Sequence, residues 1–486
     1  QRRSALKKTE PRMNSDVFIL RTTPAYPEFP YDSDDQLLQG LRSLMAMWGK
    51  DPSNPFKECL GPGSRVVIKP NWVYHDSPNE KDLNALVTHT SLIKHLIDLV
   101  SVGLRGVGRI VIGDAPIQSC DFHTLVRRTH IAEVVKVARK KHPGLDIKVE
   151  DWRLTFFEGS AGAQKLQTNY ENLVSKDYEI VDLANDSFLE DISDYADRFR
   201  VTCYDPRLMA SHHQKGKHEY LITRRLFDAD LLINLSKMKT HIKAGLTGAM
   251  KNLVGINGHK EFLPHHILGS SETGGDCYYK SAGMRNLYDA VNDRYWTRYG
   301  TLTASARRAG ELALGAMWRV SRILTGDSIS TGSWHGNETV WRMTLDLNHL
   351  AYFGEQAPKR IISIVDGVIA GEGEGPLSPT PKPAGLLLGG ENPAYVDAVL
   401  ARLIGYNISR VPTVYHAIYH RKSRFSGPYL ENFKAHLCEN GMSKIVPFEE
   451  LPNLGFAPPR HWRRATTSDK NIVARRSKNS ATAECA

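Results

Sequence analysis

The chain of 486 residues has few cysteines, and none of them is clustered. No CxxC pair occurs, so a zinc knuckle and a ferredoxin-type cluster loop are both excluded. An iron–sulfur cluster is therefore not expected. So few thiols in so long a chain indicate that they are reduced rather than paired in disulfides. The six cysteines are Cys59, Cys120, Cys203, Cys277, Cys438 and Cys485.

Long apolar runs are also missing from the sequence. No stretch approaches the roughly 18 apolar residues that a membrane-spanning helix needs. The charged N-terminus is not followed by the apolar segment of a secretory signal. We therefore expect no membrane span and a cytoplasmic location.

Excess positive charge is nearly absent from the body of the chain, although the net charge is +10. Residues 1–15 carry five basic side chains against one acid, and residues 460–486 carry seven against two. A nearly neutral body argues against a specific nucleic-acid partner. The two basic tails are expected to be solvated, disordered ends.

The clearest folding unit in the sequence spans residues 65–114. The run RVVIKPNW is followed by HTSLIKHLIDLV, whose apolar residues have helical spacing, and then by the strand-like run RIVIGDAP. This order predicts a βαβ unit, in which the crossover helix makes the two strands parallel. Because further apolar runs follow, we predict an α/β fold with a mainly parallel sheet flanked by helices.

The composition changes along the chain and suggests five segments. An Arg- and Ala-rich stretch near 277–340 has the pattern of amphipathic helices, and we interpret it as an insertion. Its apolar stripe either completes the core, covers the site or packs on a partner. The predicted segments are a basic tail (1–15), the first part of the α/β core (16–276), the helical insertion (277–340), the second part of the core (341–459) and a basic disordered tail (460–486).

Polar residues follow four of the predicted strands directly. Parallel strands deliver their carboxyl ends to one edge of a sheet, where ligands bind in open α/β folds. We therefore expect these residues to converge on one site. They are Lys69 and Asn71 after the first strand, Asp114 after the second, Lys237, Lys239, Thr240 and His241 after the third, and Asp366 after the fourth.

The strongest local signal is the segment 233–260, INLSKMKTHIKAGLTGAMKNLVGINGHK. We expect Lys237 and Lys239 to point to opposite faces of their strand, so that one enters the site and the other is structural. The stretch after Gly245 predicts a helix start whose free N–H groups would accept an anion. Thr247, Lys251 and Asn252 are then candidate substrate-binding residues, although a capped helix with surface lysines would show the same pattern.

Histidines and carboxylates near these strand ends are candidates for acid/base chemistry. They are His89, at the predicted start of the 88–100 helix, His241, Asp114 and Asp366. The same set suits a divalent metal, but no specific metal-binding motif occurs. Three more carboxylates lie downstream, and they are Glu372, Glu374 and Asp397. For Asp397, a salt bridge to one of the lysines is as good an interpretation as catalysis.

The order of these motifs resembles a known family. KPN, TH, GDAP, INLSKMKTH, TGAMKNLVG, VDG and a final PAYVDAVLARLIG are similar to the domain of unknown function family 362, over about residues 64–407. The family has no generally established activity, so the resemblance implies no reaction. Many members are associated with a ferredoxin-like iron–sulfur segment, and this chain lacks the clustered cysteines for one.

A fainter resemblance is to the nickel-pincer lactate racemase group, with Lys251 in a comparable place but without the second Gly and the Pro-Gly of that group. It would imply proton abstraction from a hydroxy acid, with His89 and His241 as the acid/base pair.

The leading hypothesis is an enzyme acting on a small anionic, phosphate- or carboxylate-bearing substrate at a Lys/His/Asp site. The alternatives are a non-catalytic protein that binds an anionic ligand or assembles on a partner, a racemase-like enzyme and an iron–sulfur redox protein. The sequence does not indicate the oligomeric state.

Overall fold

The computed structural model describes Leu6 and residues 13–31, 35–159, 164–169, 171–326 and 328–466. Its first part alternates strands and helices, as the βαβ pattern predicted. Asp35 caps the first helix by accepting the N–H groups of Leu37 and Leu38, and such caps define where helices begin. The elements are β1 (Val17–Arg21), α1 (Gln36–Met47), β2 (Arg65–Lys69), α2 (Thr90–Leu104), β3 (Gly108–Asp114), α3 (Phe122–Arg128), α4 (Ile131–Lys141) and β4 (Leu145–Asp151).

The middle of the chain contains shorter elements around one long, buried strand. That strand is β11, in which every residue is buried. In chain order the elements are β5 (Thr155–Glu158), β6 (Lys165–Thr168), α5 (Val174–Asp177), β7 (Tyr178–Asp182), β8 (Phe199–Arg200), α6 (Pro206–His212), β9 (His213–Gln214), β10 (Lys217–Thr223), α7 (Arg224–Phe227), β11 (Leu231–His241), β12 (Gly245–Thr247), α8 (Ala249–Asn252) and β13 (His266–Ile267).

The last part begins with two long helices and then returns to the main sheet. Its elements are α9 (Gly283–Arg298), α10 (Ala304–Thr325), α11 (Val340–Phe353), β14 (Arg360–Glu374), β15 (Ser378–Gly390), α12 (Pro393–Ile404), α13 (Pro412–Tyr419), β16 (Lys434–Glu439) and β17 (Met442–Pro447).

One large mixed sheet organises the molecule, with the strand order β17-β16-β1-β15-β14-β11-β2-β3-β4. Five neighbouring strands, from β14 to β4, run parallel to each other. Strand β15 pairs antiparallel with both β14 and β1. The predicted α/β class with a mainly parallel sheet is therefore confirmed.

Both faces of the sheet are covered by apolar layers, which explains why β11 is buried throughout. Ile233 and Leu235 pack on one face with residues of α1, α2 and α4. Leu232 and Met238 pack on the other with residues of α8, α11 and α12. Alternate residues of a strand point to opposite faces, so a strand covered on both sides reads as a continuous apolar run. Within the described ranges, no helix combines the length and apolar character needed to cross a bilayer.

The helical insertion lies within the predicted segment 277–340 and consists mainly of α9 and α10. Their inner sides share a small cluster in which Tyr295, Tyr299 and Leu314 are buried. Helix α11, directly after it, is part of the main core, with Val340 to Phe353 almost entirely buried. The two helices of the insertion thus pack on each other through a small cluster of their own.

The predicted boundary of the C-terminal tail is wrong. Residues 460–466 form a 3₁₀ helix, in which Trp462 is 1% exposed and its indole N–H donates to the carbonyl of Ile242 at 2.6 Å. The many basic residues of this segment suggested a solvated tail, although the segment also contains the buried tryptophan. In the predicted N-terminal tail, Leu6 is also buried. The other tail residues, 1–5, 7–12 and 467–486, lie outside the described residues.

Replacing Trp462 by Ala should lower the free energy of unfolding by about 3 to 5 kcal/mol, because a fully buried indole and its hydrogen bond are lost. Urea unfolding followed by circular dichroism measures this. The exposed neighbour Arg463 provides the control, and Arg463→Ala should stay within about 0.5 kcal/mol of the parent. Equal stability of Trp462→Ala and the parent would show that this segment does not pack.

Candidate functional site

The carboxyl ends of four neighbouring parallel strands bring the predicted site residues together. Lys69 ends β2 and Asp114 ends β3, and these strands are adjacent. Lys237 of β11 lies in register with Asp366 of β14. The expectation that the polar residues follow their strands is wrong for Lys237 and Asp366, because β11 continues to His241 and β14 to Glu374. All four charged side chains still lie towards the carboxyl edge of the parallel strands.

Lys69 and Asp114 form a buried ion pair at this edge. The Lys69 ammonium lies 2.7 Å from Asp114 Oδ1, and Asp114 Oδ2 accepts the backbone N–H of Trp72 at 2.7 Å. Burial lowers the pKa of Lys69, an effect that Asp114 opposes. The pair leaves no room beside it, because a Cβ on Gly255 would lie 1.9 Å from Asp114 Oδ1.

Two asparagines extend this pair on the side of α8. Asn252 Oδ1 accepts from Asn71 Nδ2 at 3.1 Å and from the Lys69 ammonium at 3.4 Å. Asn252 Nδ2 donates to Asn234 Oδ1 at 2.8 Å. Within the described residues, Asn71 Oδ1 is buried and has no hydrogen-bond partner. Asn71 therefore keeps one polar atom available for a ligand.

The second ion pair, Lys237 with Asp366, includes a tyrosine that the sequence analysis did not identify. The Lys237 ammonium lies 3.0 Å from Asp366 Oδ2 and donates to the Tyr26 hydroxyl at 2.7 Å. Tyr26 in turn donates to Asp366 Oδ1 at 2.5 Å. Tyr26 precedes α1 in a segment without regular structure, so no strand or helix pattern could have placed it here.

His89 joins this second pair through its backbone and its ring. Its N–H donates to Asp366 Oδ2 at 3.0 Å, and its ring stacks on Tyr26 with centroids 3.8 Å apart. Burial and the charge of Lys237 lower the pKa of His89 to about 3, so the ring is neutral at neutral pH. His89 and Tyr26 also line a pocket of about 730 Å³.

The prediction that Lys237 and Lys239 point to opposite faces is wrong. Residues two positions apart in a strand share a face. The pairing of β11 with β14 is regular up to Lys237 and changes register between Lys237 and Lys239. The Lys239 ammonium donates to the carbonyl of Leu86 at 2.5 Å, while Lys237 contacts Tyr26. Burial and the nearby charge of Lys237 lower the pKa of Lys239 well below its usual value.

Thr240 and His241 complete the end of β11. Thr240 donates to the carbonyl of Gly373 at 2.8 Å. His241 Nδ1 accepts the backbone N–H groups of Lys243 and Ala244 at 3.0 and 3.2 Å. The neutral ring must therefore carry its proton on Nε2, which has no hydrogen-bond partner among the described residues. Burial, with Lys251 as the largest charge effect, lowers the pKa of His241 well below its usual value.

The predicted anion site at the helix start is filled by the chain itself. Asp397 accepts the N–H groups of Ala249 and Met250 at 2.6 and 3.0 Å. The expectation of free N–H groups at this helix start is therefore wrong. Asp397 takes this role from α12, and among the described residues it pairs with no lysine. Burial raises its pKa to about 7.

Lys251 lies beside other cations and has no hydrogen-bond or ion-pair partner within the described residues. Burial and the charges of Lys260, Lys243 and Lys69 lower its pKa to about 7. Burial also lowers the pKa values of Lys243 and Lys260 to about 8. Lys260 donates to the carbonyl of Ala115 at 3.0 Å. We call Lys243, Lys251 and Lys260 the lysine cluster.

Lys243 and Lys260 were not among the predicted residues, nor was His265, whose pKa is lowered by burial and by Lys251. All three lie in or just after the segment 233–260, and its repeated basic residues were a signal that could have included them. The downstream glutamates do not join the site. Glu372 and Glu374 accept backbone N–H groups of the C-terminal segment at 2.8 and 2.7 Å.

In the part of the chain that the structure describes, no group of three or more His, Cys, Asp or Glu side chains is arranged to hold a metal ion. The candidate carboxylates Asp114 and Asp366 are instead bonded to lysines and backbone N–H groups.

Residues 183–402 match the family model described as Domain of unknown function (DUF362). The expected resemblance to family 362 is therefore confirmed for this segment. The segment contains β11, the lysine cluster, Asp366 and Asp397, so most of the site lies within the DUF362 region, while Lys69, Asn71, His89 and Asp114 lie before it.

Other comparisons add little to the DUF362 match. No curated protein matches the chain. A crystal structure of a Thermotoga maritima protein aligns with 10% identity and a TM-score of 0.27, over 72% of this chain and 55% of that one. The chain thus spans little more than half the length of that structure, and so low a score supports no structural argument.

Removing one partner of the Lys237–Asp366 pair should destabilise the protein strongly. Asp366→Asn leaves a buried ammonium without its counter-charge, and we expect a loss of about 3 to 5 kcal/mol in urea unfolding. The double variant Lys237→Met/Asp366→Leu should recover most of this loss, because no unpaired charge remains. If Asp366→Asn stays within about 0.5 kcal/mol of the parent, the pair has no structural role.

Proposed function

We propose that the lysine cluster binds a small anion bearing phosphate or carboxylate, and that the protein acts on this anion as an enzyme. Lys251 carries the proposal. Its ammonium group has no partner among the described residues and lies close enough to other cations for them to lower its pKa. A bound anion would supply the missing negative charge.

The charge balance of the site supports an anionic ligand. Lys69 and Lys237 are each paired with a carboxylate at 2.7 and 3.0 Å. No carboxylate pairs with Lys239, Lys243 or Lys251 in the described part of the chain. Placing like charges together away from water is costly, and such arrangements are common where a protein binds or transforms a charged ligand.

Unsatisfied polar atoms beside Lys239 and Lys69 are suited to orient the ligand. Thr247 is 3% exposed, and its hydroxyl has no partner in the described residues. It lies opposite Lys239 in the pairing of β11 with β12. A buried hydroxyl without a partner costs free energy unless a ligand or water satisfies it. Asn71 Oδ1 has the same requirement.

Proton transfer is the chemistry that these side chains support. A lysine with a pKa of about 7 can hold or release a proton near neutral pH, as a general acid or base must. His241 presents its Nε2 proton from the adjacent strand end. In this proposal Asp114 and Asp366 position lysines, because their oxygens are already engaged. A protein that binds the anion without turnover is the competing proposal, and consumption of a bound ligand separates the two.

Lys251→Met should abolish most phosphate binding in isothermal titration calorimetry. Loss of a charged hydrogen bond is expected to weaken binding by about 1.5 to 3 kcal/mol. Because the free lysine is largely neutral above its pKa of about 7, binding at about pH 8 should take up a proton from the buffer. Titrations in buffers of different ionisation enthalpy measure this uptake. It should be smaller in the variant, in which only Lys243 and Lys260, with pKa values of about 8, can still contribute.

The control for this experiment is Lys136→Met, at an exposed position of α4, which should bind as the parent does. Oxalate replaces phosphate as the probe for a carboxylate ligand. If neither anion binds the parent, or if both variants bind equally, the anion proposal fails.

Replacing Lys251 should stabilise the ligand-free protein, although it weakens anion binding. The folded pKa of Lys251, about 7, is below the ordinary value of 10.5, so the unfolded chain binds more protons between these values. The folded state is therefore penalised most below about pH 7 and is relieved as the pH rises towards about 10.5. In anion-free buffer Lys251→Met should raise the melting temperature, and by more at about pH 6 than at about pH 9. A lower melting temperature at both pH values would indicate a purely structural lysine.

A further inference from the structure

Helix α10 of the insertion has an apolar stripe that nothing in the described structure covers. Leu312, Val320, Ile323 and Leu324 are 68%, 44%, 80% and 67% exposed, and Ala316 is exposed among them. Their spacing of three and four residues places them along one side of the helix. The inner side packs separately, through Leu314. The expectation that the stripe completes the core is therefore wrong for these residues.

Exposed arginines run along one edge of this stripe. Arg308, Arg319 and Arg322 are all exposed, and the helical repeat places them side by side next to the apolar residues. None of them forms an ion pair within the described residues. The acidic residue of α10, Glu311, is half-buried on the inner side, beside Arg307. The outer surface of the helix is thus apolar and positively charged.

We propose that α10 docks on an anionic phospholipid surface, with its apolar stripe in the headgroup region and its arginines against lipid phosphates. Helices that lie in a membrane interface combine an apolar side with basic residues in this way. This proposal is independent of the anion-binding function.

The C-terminal sequence carries further positive charge. His461, in the last part of the described chain, hydrogen-bonds through Nε2 to the Ser328 hydroxyl at 2.9 Å. The following residues, 467–486, carry four basic and two acidic side chains. Stable membrane association usually needs two signals, such as an apolar element and a basic segment.

A second copy of the chain fits the stripe less well. In an antiparallel pairing of two α10 helices about a two-fold axis, both arginine edges would lie on the same side of the contact. Like charges would then face each other and oppose association. The same positive charge also argues against the basic C-terminal residues as the occupant.

The test is flotation of the full chain with vesicles of phosphatidylcholine, alone or in equimolar mixture with phosphatidylglycerol. The chain should bind the anionic vesicles and release at high salt. Arg319→Gln/Arg322→Gln should reduce partitioning about thirtyfold, the effect of two surface arginines. Leu312→Gln/Ile323→Gln should reduce it about tenfold through lost apolar insertion. The matched control is Met442→Gln/Ile445→Gln, at exposed apolar positions of β17, which should bind unchanged.

Three results would overturn the proposal. The first is absence of binding to anionic vesicles. The second is binding that both α10 variants retain while removal of 467–486 abolishes it. The third is a concentration-dependent dimer in sedimentation velocity that Leu312→Gln/Ile323→Gln dissociates, since the stripe would then belong to a second copy. Unchanged melting temperatures are expected for all the substitutions, because the side chains are exposed.

Discussion

Burial of lysine ammonium groups at the carboxyl edge of the parallel sheet is the constraint around which this site is built. A lysine side chain removed from water must pair with a negative charge, lose its proton or bind a ligand. Lys69 and Lys237 follow the first course, and their partners Asp114 and Asp366 come from the neighbouring strands. Strand order is therefore tied to charge pairing, because each pair needs its two strands side by side.

The proposed anion site depends on the lysines that have no carboxylate partner among the described residues. Lys251 has its pKa lowered to about 7, and the preceding helix start, which would ordinarily attract an anion, is already occupied by Asp397. Any external anion would therefore bind through side chains and not through the backbone of α8. The paired lysines stay fixed while the unpaired ones remain free to respond to a ligand.

Sequence patterns identified the parallel part of the sheet and the charged residues near its carboxyl edge, but not strands β1, β15, β16 and β17 of the same sheet. The apolar runs before Lys69, Asp114, Lys237 and Asp366 identify parallel strands, and parallel strands have only one carboxyl edge. Other contacts could not be predicted, because they join distant parts of the chain without any periodic signal. Tyr26 reaches Asp366 across 340 positions, and Asp397 reaches Ala249 across 148.

Trp462 has a consequence for how the molecule is assembled during synthesis. Its indole is bonded to Ile242, 220 positions earlier, and its ring fills the space beside Gly245, where a Cβ would lie 2.7 Å from it. The loop after β11, which follows His241 and contains Lys243, therefore gains this support only after residue 462 has been synthesised. Until then the strands of the sheet can pair, but the loop next to the lysine cluster lacks its final packing partner.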